Sequence, residues 1–265
     1  MRLEDWWPWY ERIATLLELD KTRDQLAADI LSRLIAKKSI EPSEISSRIK
    51  GRGVLVFGAG PSLDEDIRQL KETSLLEECV KIAADGAASA LLELADANPE
   101  FIVTDLDGRV EDQIRCERLG SVVVVLAHGD NMQRLEGVVP AFSKVLGTTQ
   151  VEPRPHVYNF GGFTDGDRAV FFAETFAPTF IALAGMDLGT KIGRYSKPEP
   201  IEQQALRKKI LKLEICKELL EWFSTRTTIP LYNLTSSGAS IRGFQKTSAE
   251  KLSHILKGWC YCLRS

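Results

Sequence analysis

The sequence predicts a doubly wound α/β fold with a mostly parallel sheet, extended by helical regions at both termini. Three observations predict it. Short apolar runs alternate with helical stretches between about residues 54 and 184. Each run is nearly all apolar, as strands covered by helices on both faces must be. The segments before and after carry helical spacing instead.

From Trp9 to Lys38 the apolar positions Ile13, Leu16, Leu17, Leu26, Ile30 and Leu34 recur at helical spacing, which predicts a helical N-terminal region over residues 1–50. Trp6, Trp7, Trp9 and Tyr10 read as aromatics buried against their own core rather than as a partner surface. After Pro42 and the Gly51-Arg52-Gly53 turn the rhythm changes. Strands are expected at 54–57, 80–84, 101–104, 121–127 and 180–184, and helices at 65–71, 87–95 and 167–176, within a core spanning 51–198. Residues 199–265 read as a long amphipathic helix over about 201–223, an extended segment at 231–235 and a last helix over 247–257. Arg207, Lys208, Lys209 and Lys212 make the long helix locally basic, but Glu202, Glu214, Glu218 and Glu221 offset them, so they read as a solvated face.

Composition narrows the function. The 265 residues are 44% hydrophobic and 27% charged, which suits a globular chain and excludes collagen-like and low-complexity classes. Lys plus Arg total 34 against 37 Asp plus Glu, without the basic excess that a nucleic-acid partner requires. The five cysteines form no C-x-x-C pair and read as reduced thiols. The apolar runs are far shorter than the roughly 18 residues a membrane helix needs, and the acidic, Trp-rich start is no signal peptide. The expectation is a cytoplasmic protein without nucleic-acid or membrane partners, with a homo-oligomer left open.

In open α/β sheets ligands bind beyond the carboxyl ends of the strands, and here those ends are polar. The first is Gly58-Ala59-Gly60-Pro61-Ser62, a partial dinucleotide fingerprint in which Leu63 takes the third glycine's place. It is either a phosphate contact, with Ser62 capping the next helix, or a tight strand-to-helix turn. The second, Asp85-Gly86, offers an acid for a ribose or for the following helix N-terminus. The third, Asp105-Leu106-Asp107-Gly108, sets two carboxylates in one turn, which suits Mg²⁺ bridging to substrate phosphates better than a capped surface turn. The fourth carries His128, Gly129, Asp130 and Asn131, His128 being a base, a phosphate donor or a satisfied polar residue. Further on, Thr164 or Asp165 caps a helix, or Asp165 and Asp167 complete an acidic site. Lys191 and Arg194, in the run from Asp187 to Tyr195, either hold a polyphosphate or stand in a surface loop.

In series, Gly58-Ala59-Gly60-Pro61-Ser62-Leu63, Ala84-Asp85-Gly86-Ala87, Thr104-Asp105-Leu106-Asp107-Gly108, Ala127-His128-Gly129-Asp130-Asn131, Phe163-Thr164-Asp165-Gly166-Asp167-Arg168-Ala169, Gly185-Met186-Asp187-Leu188-Gly189 and Tyr232-Asn233-Leu234-Thr235 resemble the archaeal 6-hydroxymethyl-7,8-dihydropterin diphosphokinase family. The match runs from about Val54 to Gly243. The chain is also distantly similar to thiamine diphosphokinases, whose Ala-Asp-Gly, D-x-D and Thr-Asp motifs surround ATP and Mg²⁺. Those enzymes append a β-sandwich that receives thiamine, whereas the C-terminal part here reads mainly helical.

The resemblance implies that ATP and a reduced pterin alcohol give AMP and the pterin diphosphate, a step toward folate or methanopterin cofactors. It assigns Mg²⁺ to Asp105 and Asp107 with Asp165 beside them, and nucleotide to Gly58, Gly60, Pro61, Ser62, Asp85, Gly86, His128, Lys191 and Arg194. Asn131, Phe163 and Asp187 are the expected pterin contacts. The competing readings are a metal-dependent glycosyltransferase-like enzyme, since related domains occur in bacterial motility-associated proteins of that kind, and a non-catalytic nucleotide-sensing module.

Overall fold

The structure, a computed structural model, describes residues 2–196 and 202–262. The chain opens with helices α1 (Leu3–Leu17), α2 (Lys21–Ile35) and α3 (Pro42–Ile49). The expected helical region is therefore interrupted. Glu18 turns left-handed at φ 55°, and the Asp20 carboxylate accepts from the N–H groups of Thr22 and Arg23, starting α2 afresh. Trp6 and Tyr10 are fully buried, so these aromatics belong to the core.

The alternating segment then forms β1 (Gly53–Phe57), α4 (Leu63–Lys71), α5 (Leu75–Glu78), β2 (Val80–Ala84), α6 (Ala87–Ala95), β3 (Phe101–Thr104), α7 (Val110–Arg118) and β4 (Val122–Ala127). It continues through α8 (Met132–Val138), β5 (Val145–Thr149), β6 (Val157–Tyr158), α9 (Asp165–Thr175) and β7 (Phe180–Ala184). After α10 (Gln203–Ser224) come β8 (Leu231–Asn233), β9 (Gln245–Lys246) and α11 (Ala249–Cys262). The expected helix start at residue 201 and the expected boundary near residue 198 lie outside the described residues.

Among the described residues nine strands make one sheet in the order β6-β5-β4-β3-β2-β1-β7-β8-β9, and every pairing is parallel. Helices cover both faces, the doubly wound arrangement. Leu55 and Phe57 face one layer, where Leu63 and Ile67 of α4 and Leu91 of α6 pack. Val54 and Val56 face the other, with Leu31 of α2, Phe172 of α9 and Leu219 of α10. This alternation along β1 is the two-residue period of a strand buried on both sides.

Strands β5, β6 and β9 are absent from the sequence reading. Gly147, Thr148 and Thr149 break the apolar run of β5, and two-residue strands carry no periodicity; all three exist because a neighbouring edge pairs with them. Cys79, Cys116 and Cys216 are free and buried, while Cys260 and Cys262 lie outside the residues whose side chains are described. Among the described residues no helix is long and apolar enough to cross a membrane.

Candidate active site

Strands β2 to β6 lie on one side of β1 and β7 to β9 on the other, so the chain switches direction between β1 and β7. At such a point the loops beyond the carboxyl ends diverge and leave a crevice. Residues 58–61 after β1 and 185–188 after β7 line it, with Lys191, as a cavity of about 700 Å³. A second cavity of about 730 Å³ opens beside it, walled by Leu19, Leu126, Phe163, His128 and Gln150. The two share Asp107, Thr164, Asp165, Lys209 and Leu213.

The glycines of the first loop line the first cavity, and their N–H groups bond to the turn after β7. Gly58 N–H donates to Ala184 O at 2.9 Å, Gly60 N–H to Gly185 O at 2.8 Å and Ser62 N–H to Asp187 Oδ2 at 3.2 Å. These donors are already committed to the turn after β7. A Cβ at Gly60 would stand 2.1 Å from Asp187 Oδ2, and one at Gly58 2.4 Å from Met186 Sδ, so glycine is what lets the two loops touch. Ser62 occupies the N-cap position of α4, yet its hydroxyl lies 2.9 Å from both Asp66 Oδ2 and Asp187 Oδ2 instead of capping. Gly86 is buried under the Tyr195 carbonyl, 1.8 Å from where its Cβ would be, and so supports the loop rather than lining the cavity. Pro61 is exposed on the cavity wall.

Asp85, Asp105 and Asp107 each bring a carboxylate oxygen within 4.8 Å of the others. Their turns are strained to do it: Asp85 and Leu106 take left-handed backbone angles, φ 44° and 67°. A side chain at Gly108 would collide with Asp85 Oδ2 at 2.4 Å. Asp85 thus stands in the acidic cluster, and the position a ribose-binding acid would take is a carboxylate among carboxylates. Burial, then the charges of Asp107 and Asp105, push its carboxyl up to about 7.

Asp165, also beside the cluster, is raised well above the usual carboxylate range by burial and by Asp105, Asp85 and Asp107. Its Oδ1 is buried with no hydrogen-bond partner. Asp105 goes the other way: burial raises it, but the hydrogen bond and charge of His128, with Lys212, outweigh that and hold it at about 2. Asp167 is not part of this group. It accepts from the N–H groups of Phe163 at 2.6 Å and Thr164 at 2.8 Å in a capping box that starts α9, so Thr164 is the cap and only Asp165 faces the acids.

His128 lines the second cavity. Its Nδ1 accepts from Asp130 N–H at 3.3 Å, which leaves Nε2–H to face Asp105 Oδ2 at 3.5 Å. In this arrangement His128 donates to Asp105. Asn131 is fully buried and does not reach either cavity, because its amide donates to Asp105 O and Leu126 O and accepts from His128 N–H. Phe163 faces the second cavity and Asp187 the first, so the three expected pterin contacts are separated. Lys191 lines the first cavity, but Arg194 turns outward to Asp64, 2.8 Å away, and stacks on Tyr195.

The structure brings in two cations that sequence reasoning assigned to solvent. Lys209 borders both cavities and Lys212 the second, with Lys212 Nζ 5.8 Å from the centre of the Phe163 ring. A signal for them existed: positions 209, 212 and 213 continue the stripe of buried Cys216, Leu219, Leu220 and Phe223, so these lysines sit on the inward face of α10. Arg207 and Lys208 are exposed, as a solvated face requires. Gln113 and Gln150, neutral and inside ordinary stretches, carried no such signal.

A family model described as 6-hydroxymethylpterin diphosphokinase MptE-like matches residues 33–193. A protein of Pyrococcus furiosus named 6-hydroxymethyl-7,8-dihydropterin pyrophosphokinase is 44% identical over 225 residues, 84% of this chain and 94% of that protein. The chain belongs to the MptE-like family. Relatives of the same name come from Methanothermobacter thermautotrophicus, at 41% identity over 84% of this chain and 95% of the relative, and Methanocaldococcus jannaschii, at 39% over 86% and 98%. Among solved structures, the MAf glycosyltransferase from Magnetospirillum magneticum AMB-1 superposes with a TM-score of 0.52 at 15% identity, covering 84% of this chain and 39% of that one. That likeness is one of fold. The match to the MptE-like model ends at Gly193, ahead of α10, which carries Lys209 and Lys212.

Proposed function

We propose that the chain is a 6-hydroxymethyl-7,8-dihydropterin diphosphokinase that transfers the β,γ-diphosphate of ATP to the pterin's hydroxymethyl oxygen, releasing AMP. The observation that carries this reading is the pair of cavities meeting at Asp107, Asp165 and Lys209. A transfer between two bound substrates needs two sites with the reacting groups at their border. The first cavity, at the β1/β7 switch point and flanked by Lys191, suits the nucleotide. The second, with Phe163 and three leucines for an aromatic face and polar groups for its edge, suits the pterin.

Mg²⁺ fits the acidic cluster. Three carboxylates within 4.8 Å repel one another without a cation, the donors are hard oxygens, and Asp165 Oδ1 is left without a partner beside them. Asp85, Asp105 and Asp107 would hold the ion, which when bound neutralises charge on the triphosphate oxygens. Lys209 and Lys191, both lining the nucleotide cavity, bind the remaining phosphate charge. The hydroxymethyl oxygen attacks the β-phosphorus, the bond from that phosphorus to the α,β-bridging oxygen breaks, and that oxygen leaves on AMP. Asp165, unpartnered at the border, takes the hydroxyl proton. Both substrates are water-soluble, which agrees with a cytoplasmic protein feeding folate or methanopterin assembly.

The test is a product assay with ATP labelled in the β-phosphate. AMP is expected to accumulate one-for-one with a labelled pterin diphosphate. ADP as the main coproduct would refute diphosphoryl transfer, and faster use of thiamine than of the pterin would refute the acceptor.

A further inference from the structure

Part of the wall of the second cavity is held by the N-terminal helices. Asp24, on α2 and only 3% exposed, receives three donors: Tyr10 O–H at 2.7 Å and Gln150 Nε2 at 2.7 Å on Oδ2, and Gly129 N–H at 2.7 Å on Oδ1. Trp6 Nε1 donates to the Gln150 carbonyl at 2.8 Å, and Arg23 Nη2 to the Gly129 carbonyl at 3.0 Å. Residues far apart in sequence thereby clamp the loops after β4 and β5. Burial and the Asp24 charge push the Tyr10 hydroxyl far up, so it remains a donor.

The clamp sets the orientation of one amide. Asp24 accepts from Tyr10 O–H, from Gly129 N–H and from the NH₂ of Gln150, so the carbonyl end of that amide, Oε1, points away from Asp24. Gln150 lines the cavity, and among the described residues no donor reaches Oε1. Gln150 and Phe163 line the same cavity, so this amide oxygen is the acceptor that Gln150 has left to offer it. The pyrimidinone ring of a pterin carries N–H donors along one edge, whereas thiamine, sugars and nucleoside phosphates present other patterns.

We infer that Gln150 Oε1 accepts a hydrogen bond from the N–H edge of the acceptor heterocycle, and that Asp24 is the positioning residue that keeps it aimed there. This rests on the pterin reading above and adds to it the group that recognises the ring. It also gives the N-terminal helices a part in substrate choice.

The experiment measures KM for pterin and for ATP separately, with direct titration of pterin binding, in the full chain and in three variants. Gln150→Met is expected to raise the pterin KM about tenfold while KM for ATP stays within about twofold, since a buried donor of the substrate loses its acceptor. Asp24→Asn frees the Gln150 amide to flip and shifts the same constant in the same direction. Combining Asp24→Asn with Gln150→Glu exchanges donor and acceptor: the amide introduced on α2 donates to the carboxylate introduced after β5, whose second oxygen again faces the cavity. The double variant is therefore expected to bind pterin better than Asp24→Asn alone, a rescue that a purely structural role would not produce. It keeps a partner for both side chains, so it decides the matter if a single variant folds poorly. Pterin and ATP constants moving together, or no rescue, would overturn the assignment with the enzyme's activity still standing. A wild-type chain that neither binds nor uses the pterin would overturn both.

Discussion

Gln113 and Asp85 are joined by a 2.8 Å hydrogen bond, the Gln113 amide donating to Oδ1, and Thr104 Oγ1 donates to that same oxygen at 2.8 Å. Two donors occupy one oxygen and leave Oδ2 to the carboxylates of Asp105 and Asp107. Residues of α7 and β3 thus decide how Asp85 faces Asp105 and Asp107.

Removing that support is expected to weaken the ion rather than the nucleotide. Gln113→Leu should raise the Mg²⁺ concentration for half-maximal activity about tenfold, the usual cost of losing an outer partner of a metal ligand. A Mg²⁺ titration at saturating ATP and pterin measures it. An unchanged midpoint would show that Asp85 needs no such orientation.

The carboxylates themselves should separate activity from stability. Asp105→Asn and Asp107→Asn are expected to abolish most Mg²⁺-dependent turnover. Asp107→Asn also removes a charge that raises Asp85 and Asp165, so its Mg²⁺-free form should melt no lower than the parent, whereas Asp105→Asn loses the pairing with His128 and Lys212 and should melt lower. Near-normal kcat at modest Mg²⁺ in both would end the metal assignment.

The acidity of the cluster predicts a pH dependence with a definite sign. Folded Asp85 keeps its proton up to about 7, whereas the unfolded chain releases it near the ordinary value of 3.8. Between those values the folded state binds more protons, so its stability falls as pH rises through the window. Asp165 acts in the same direction, while the depressed Asp105 contributes only below the window. Without Mg²⁺ the melting temperature should therefore drop relative to Asp85→Asn as pH rises from about 4 to 7, and added Mg²⁺ should stabilise more at the upper end. Thermal melts at several pH values, with EDTA or Mg²⁺, check this. A constant gap between the two proteins would contradict it.

The inward face of α10 offers a contrast within one basic run. Lys209→Ala should lower kcat/KM for ATP about tenfold or more, because a cation is lost at the border of both cavities. Arg207→Ala and Lys208→Ala, on the exposed face, should leave it within about twofold. Equal effects at all three positions would mean that the helix acts only through its overall charge.

Much of this arrangement was legible in the chain. The β1, β2, β3 and β7 segments and the helix from Ala87 to Ala95 stand where their apolar runs and spacing placed them, because burial on both faces of a parallel sheet demands an unbroken apolar strand. Asp105 and Asp107 were legible too, since one turn holds both and their proximity is a matter of sequence. The edges were not: β5, with Gly147 and two threonines, is a strand only because β4 and β6 flank it.

Sequence by itself determined the strand rhythm, the polar strand ends and the D-x-D turn, because each is set by neighbours along the chain. Tertiary structure alone decided that Asp85 and Asp165 join that turn and Asp167 does not, since the first two meet it across separate strand ends while Asp167 is consumed by its own helix cap. It also turned Lys209 and Lys212 inward while Arg194 went to Asp64, and it brought Asp24 to Gln150 across 126 positions of sequence. Such contacts depend on how helices pack over the sheet, and a local pattern does not encode which face of a helix will meet which loop.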